Sequence, residues 1–142
     1  MSEQDNVVTV KAVYAAWRRG DIPTVLDALT DDVEWVLPGP SEVMPYAGTW
    51  RGTAEMRRYF TVLSDTVEFE QYELESVIAQ GEQVVVVGRS RVRAKQTGRV
   101  FDDQFAHWFE FRRGKAARMR YYTDTAAAVA ALSGAGQPAR AR

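Results

Sequence analysis

Between Val67 and Asp124 the chain alternates four long segments of strand character with three short turns. The turns centre on Gly81, on Thr97-Gly98 and on Arg113-Gly114. Glycine supplies backbone conformations that other residues resist, so each of these positions marks a reversal. The segments read as Val67–Ala79, Gln83–Lys95, Val100–Arg112 and Ala116–Asp124, an antiparallel meander. A sheet of that kind must cover one face to hide its apolar side chains. The cover has to come from upstream.

Three helices are expected there. From about Asp5 to Arg19, Val10, Val13, Tyr14 and Trp17 recur at helical spacing, and Gly20 ends the helix. A short second helix follows, with Asp21 as its cap, Pro23 in its first turn, and Val25, Leu26 and Leu29 facing inward. Thr30-Asp31-Asp32 reads as a turn, and Val33 to Leu37 as a strand. A third helix from about Thr53 to Leu63 buries Met56, Tyr59, Phe60 and Leu63. Between strand and helix, Pro38, Gly39, Pro40, Pro45, Gly48 and Gly52 forbid regular structure over much of the segment. Val43, Met44, Tyr46 and Trp50 make it either a binding loop or a plug for one end of the core. Thr125 to Leu132 reads as an alanine-rich helix, and Ser133 to Arg142 as a disordered tail. The expected class is α+β, one domain over residues 1–132.

Composition narrows the chemistry. There are no cysteines, which excludes disulfides, thiolate metal sites and cysteine nucleophiles. The one histidine excludes a multi-histidine zinc site within a single chain. No metal and no cofactor are expected. Net charge is −1, which gives no footprint for nucleic acid or an anionic membrane. No apolar run approaches the ~20 residues that span a bilayer. The acidic start lacks the basic and apolar stretches of a signal peptide, so a cytoplasmic location is expected.

The one histidine, His107, lies in the run Asp103-Gln-Phe-Ala-His107-Trp-Phe-Glu-Phe111. With a period of two, Asp103, Phe105, His107, Phe109 and Phe111 share a face. Buried among phenylalanines, such a histidine acts on a ligand or is held by a neighbouring tyrosine or arginine. Asp103 and His107 are roughly 13 Å apart along the strand, so they would flank a substrate rather than bond to each other. On the preceding strand Arg89, Arg91 and Arg93 alternate, and from the pattern alone they read as a solvated face.

Several local patterns carry a family resemblance: Tyr14-Ala-Ala-Trp17-x-x-Gly20-Asp21, Asp31-Asp32-Val33-Glu34-Trp35, Trp50-Arg51-Gly52, Thr97-Gly98-Arg99, Phe105-Ala106-His107-Trp108, Gly114-Lys115 and Arg120-Tyr-Tyr-Thr-Asp124. Over about Val7 to Leu132 the chain resembles the SnoaL-like, ketosteroid isomerase-like group of the nuclear transport factor 2-like superfamily. The resemblance implies a cone-shaped α+β fold, with three N-terminal helices against a strongly curved, mostly antiparallel sheet.

It also implies an inner pocket lined by Asp103, Phe105 and His107, by Met119, Tyr121 and Thr123, and by Arg89, Arg91 and Arg93. A three-residue turn through Gly98 would set Arg89 near His107 and Arg93 near Asp103. A shorter turn would flip one strand's set. The first arrangement is favoured because it gives buried arginines acidic neighbours. Limonene epoxide hydrolases share the fold, but Arg91 and Tyr121 stand where their two aspartates belong, so that activity is not expected.

The expected function is a cofactor-independent isomerase, cyclase or related lyase acting on a small, largely apolar carbonyl compound. His107 and Asp103 (or Asp124, which reads more simply as a helix cap) would do acid–base work. Arg89, Arg91 and Tyr121 would stabilise an oxyanion. Phe105, Trp35, Tyr46, Trp50, Tyr59 and Met119 would wall the ligand. The alternatives are a non-catalytic ligand binder and an interaction module. A homodimer through the outer sheet face is expected, with Val84, Val86, Val92 and Trp108 supplying apolar contact.

Overall fold

A computed structural model describes residues 2–133. Helix α1 spans Glu3–Arg18 and opens on a capping box in which Ser2 and Asp5 bond each other's backbone. Helix α2 is Ile22–Asp27, capped by Asp21 through Thr24 N–H. Helix α3 is Gly52–Thr66, and α4 is Thr125–Ser133. Strands β1 (Leu29–Leu37), β2 (Gly48–Arg51), β3 (Val67–Gln80), β4 (Gln83–Ala94), β5 (Val100–Arg112) and β6 (Lys115–Tyr122) form one sheet in the order β2-β1-β6-β5-β4-β3. Only β1 and β6 run parallel among the described neighbours. The sheet curves, and α1, α2 and α3 fill its concave side. The four-strand meander and the amphipathic stripes thus build the α+β cone.

Three local expectations change. Thr30 to Asp32 is extended rather than a turn, because Leu29 already pairs with Ala116 of β6. The Pro- and Gly-rich segment contains β2, whose Gly48 to Arg51 pair with Leu37 to Glu34. Its Met44, Tyr46, Ala47 and Trp50 are buried, and Trp50 Nε1 donates to Tyr46 O at 3.0 Å. The segment therefore plugs one end of the core. The tail read from Ser133 begins inside α4, and the rest of it lies outside the described residues.

The largest correction concerns β4. The connection runs from Lys95 to Gly98, closed by Ala94 N–H to Arg99 O and Gly98 N–H to Ala94 O. Arg93 therefore pairs with Val100, Arg89 with Gln104 and Val86 with His107. Relative to the expected pairing the parity is reversed, and every β4 side chain changes face. Val84, Val86 and Val92 point into the core, while Arg89, Arg91 and Arg93 point out. Arg89 pairs with Glu73 at 2.9 Å and Glu75 at 3.4 Å, Arg91 with Asp102 at 3.1 Å, and Arg93 with Glu68 and Glu70. The opposite parity would place three guanidiniums in an aromatic interior and three valines in water, an arrangement costly on both counts. Of the expected outer apolar contacts, only Trp108 remains on that side. Its companions there are Ile78, Val85, Val87 and Tyr122.

Candidate functional site

The concave space narrows to a cavity of about 40 Å³. Tyr14 and Trp17 of α1, Trp35 of β1, Tyr59 and Phe60 of α3, Tyr72 of β3, His107 and Phe109 of β5, and Met119 and Tyr121 of β6 form most of its wall. None of the wall residues is charged at neutral pH.

His107 is the polar centre of this wall. It is 3% exposed and directly opposite Tyr121 across the β5–β6 ladder, with ring centroids 3.9 Å apart. Phe105 stacks on the imidazole at 4.4 Å. The Tyr14 hydroxyl shares a short hydrogen bond with Nδ1, whereas Nε2 is buried and has no partner among the described residues.

Burial strips water from the charged ring and pulls its pKa down from 6.5 to about 3, so the native imidazole is neutral. The unfolded ring takes up a proton below about pH 6.5 and the native ring does not. Stability from this residue is therefore complete above that pH and is lost as pH falls towards 3. The expected slope is ~1 kcal/mol per pH unit. Urea midpoints of the wild type and His107→Phe should diverge through this window, and a constant difference would refute the assignment.

The tyrosines respond to burial in the opposite direction. Desolvation raises Tyr14, Tyr72 and Tyr121 well above 10, raises Tyr59, and pushes Tyr46 up to about 12. All the hydroxyls on the cavity wall therefore stay protonated.

Asp103 shares the inner face of β5 but does not join the cavity wall. Its Oδ2 accepts from Thr123 Oγ1 at 2.5 Å and its Oδ1 from Asp124 N at 2.8 Å. Burial raises its pKa, opposed by those two hydrogen bonds. Asp124 in turn caps α4, accepting from Ala127 N at 3.0 Å. Asp103, 3% exposed, thus ties the end of β6 and the start of α4 to β5. Arg89 and Arg91, expected beside the ligand, lie on the outer face because of the reversed parity. Tyr46 and Trp50 belong to the plug, and Phe105 supports His107 from the side. Trp35, Tyr59, Met119 and Tyr121 do reach the cavity.

Several wall residues were not expected there, and the two that matter most for His107 and for access to it are Tyr14 and Tyr72. Tyr14 was recognisable only as part of the buried stripe of α1, although a buried tyrosine needs a partner for its hydroxyl. Tyr72 sits between two irregularities in the β3–β4 pairing, at Phe69/Gln71 and Leu74/Ser76, which break the period of two.

Beyond the cavity lies a wider groove of about 880 Å³ between α2, α3 and β3. Both spaces share Trp17, Phe60, Leu63, Phe69 and Tyr72. Trp17 packs edge-on against Phe69 at 5.0 Å and Tyr72 at 4.8 Å. One layer of side chains therefore separates the groove from the cavity holding His107.

A curved sheet closed by helices over an aromatic cavity with one buried imidazole defines a cone-shaped α+β protein. The chain belongs to the SnoaL-like domain family, whose model matches residues 10–119, and so to the nuclear transport factor 2-like superfamily. It is similar to a nuclear transport factor 2-like protein from Burkholderia xenovorans, at 39% identity over 93% of this chain and 98% of that one, with a TM-score of 0.85. It is also similar to TerC, crystallised with polyporic acid, at 29% identity over 91% of this chain and 98% of that one, with a TM-score of 0.80. An uncharacterized protein of Mycobacterium tuberculosis is 29% identical over 89% of this chain and 95% of its own length.

Proposed function

We propose that this protein encloses a small, uncharged, largely apolar molecule bearing a carbonyl, and that His107 hydrogen-bonds that oxygen. The observation that carries this reading is Nε2 of His107, buried and unpartnered in a cavity whose wall is otherwise aromatic or apolar. A buried polar atom without a partner costs about 1–3 kcal/mol, which a ligand oxygen would relieve. The chemistry that suits the site is of the isomerase or cyclase type, needing no cofactor. Binding would fold the substrate against aromatic walls and polarise its carbonyl, favouring addition by another part of the same molecule. No carboxylate belongs to the cavity wall among the described residues, so the general base expected from Asp103 is not part of this reading. The similarity to TerC, a protein co-crystallised with polyporic acid, supports a role in taking up a small organic ligand.

The cavity as it stands is smaller than a substrate, so entry requires the Trp17, Phe69 and Tyr72 layer to move. Titration with acetylnaphthalene, followed by quenching of tryptophan fluorescence, tests the reading. The expected result is saturable binding that tightens in Trp17→Ala. Absence of saturation in both proteins would refute it.

The outer sheet face supports a second proposal, pairing of two copies of the chain. Ile78 is 58% exposed and Tyr122 50% exposed, beside Val85, Val87 and Trp108. Sedimentation at micromolar concentration should show a dimer that Tyr122→Glu dissociates, and a monomeric wild type would overturn it.

A further inference from the structure

We infer that Tyr14 fixes the tautomer of His107, so that the ring presents an N–H donor to the cavity and selects ligands by an acceptor at that point. This deepens the ligand-binding reading above and rests on it.

A neutral imidazole carries one proton on one of two nitrogens, and a phenol carries one proton of its own. Two arrangements satisfy the Tyr14–His107 hydrogen bond. In the first, the Tyr14 hydroxyl donates to Nδ1, and the ring proton sits on Nε2. Nε2–H is left without an acceptor, and the Tyr14 oxygen without a donor. In the second, Nδ1–H donates to the Tyr14 oxygen. The Tyr14 proton then has no acceptor, since His107 is the only hydrogen-bond partner of Tyr14 among the described residues, and the Nε2 lone pair has no donor. Each arrangement leaves one donor and one acceptor unmatched, but only the first joins the stronger donor, the phenol O–H, to the stronger acceptor, the bare imidazole nitrogen. A dry aromatic wall strengthens that hydrogen bond, so the first arrangement prevails.

Two consequences follow for chemistry. Nε2, already protonated, does not remove a proton from a bound molecule. It donates, and therefore polarises a carbonyl, quinone or ether oxygen. Tyr14 is a positioning residue: it bonds the ring at Nδ1 and acts through it. The neighbouring hydroxyls of Tyr59, Tyr72 and Tyr121 belong to the same wall and stay protonated, so they do not compete as anionic acceptors.

The chain's single histidine makes the test direct. In nitrogen-15-labelled, untagged protein, a long-range proton–nitrogen correlation shows one imidazole. The expected spectrum has Nε2 protonated and Nδ1 bare, unchanged between about pH 5 and 8. In Tyr14→Phe, with its backbone spectrum confirming the fold, the Nδ1 signal should move as its donor disappears. A ring protonated at Nδ1 in the wild type, or a Tyr14→Phe ring identical to the wild type's, would overturn the inference.

A matched pair of probes reads the selection. Acetylnaphthalene has an acceptor, whereas ethylnaphthalene has none. The wild type should bind the ketone about tenfold more tightly, and His107→Phe should bind both alike. Equal binding by the wild type would overturn the selection. Failure of both probes to bind, with the ring in the stated tautomer, would count against the ligand-binding reading rather than the tautomer.

Discussion

Gly88→Ala is expected to be the most damaging small substitution in the sheet, lowering stability by about 3 kcal/mol. Gly88 lies on the inner face of β4, paired with Phe105 on one side and Leu74 on the other. A β-carbon there would stand 2.4 Å from the Glu73 carbonyl oxygen and 2.6 Å from Phe105 Cζ. The carbonyl belongs to the paired backbone of β3, beside the irregularity between Leu74 and Ser76, so it has little room to withdraw. The phenylalanine ring lies over the glycine and stacks on His107, so displacing it also disturbs the site. Urea denaturation measures the loss directly. A decrease below about 1 kcal/mol would mean that the sheet relaxes around the new methyl group.

The second large effect is on function. For any carbonyl substrate that the protein turns over, His107→Ala should lower kcat/KM by about 100-fold to 1000-fold, the range for removing one oriented donor from a developing oxyanion. The wild-type rate should also be flat between about pH 5 and 8, because the ring stays neutral throughout that interval. A histidine acting as an ordinary base would instead give a rate falling below its own pKa, near 6.5. Such a fall in the profile, or a His107→Ala rate within threefold of the wild type, would refute the donor role.

Most of the architecture was legible in the residues themselves. The stripe Val10, Val13, Tyr14, Trp17 and the alternation Phe105, His107, Phe109, Phe111 are local periodicities, and each correctly marks a buried face. Gly81, Gly98 and Gly114 adopt positive φ values at the three reversals. The site was less legible. Whether Arg89 or Gly88 faces the cavity depends on the parity of pairing between β4 and β5. That parity follows from how the chain crosses Lys95 to Gly98; the alternation of β4 alone already reads its arginines as a solvated face, and it was the family resemblance that turned them inward. Asp103 seemed a partner for His107 because both share a strand face. Its two oxygens are nevertheless taken by Thr123 and Asp124, residues some twenty positions along the chain.

The sequence by itself determined the elements, the buried faces and the place of its only imidazole on one of them, because burial imposes a repeat that short stretches of chain must carry. The tertiary structure decided which nitrogen of that imidazole meets Tyr14 and which meets nothing. A hydrogen bond between residues on α1 and β5 depends on how helix and sheet pack, and the empty valence at Nε2 is defined by what every neighbouring element fails to offer.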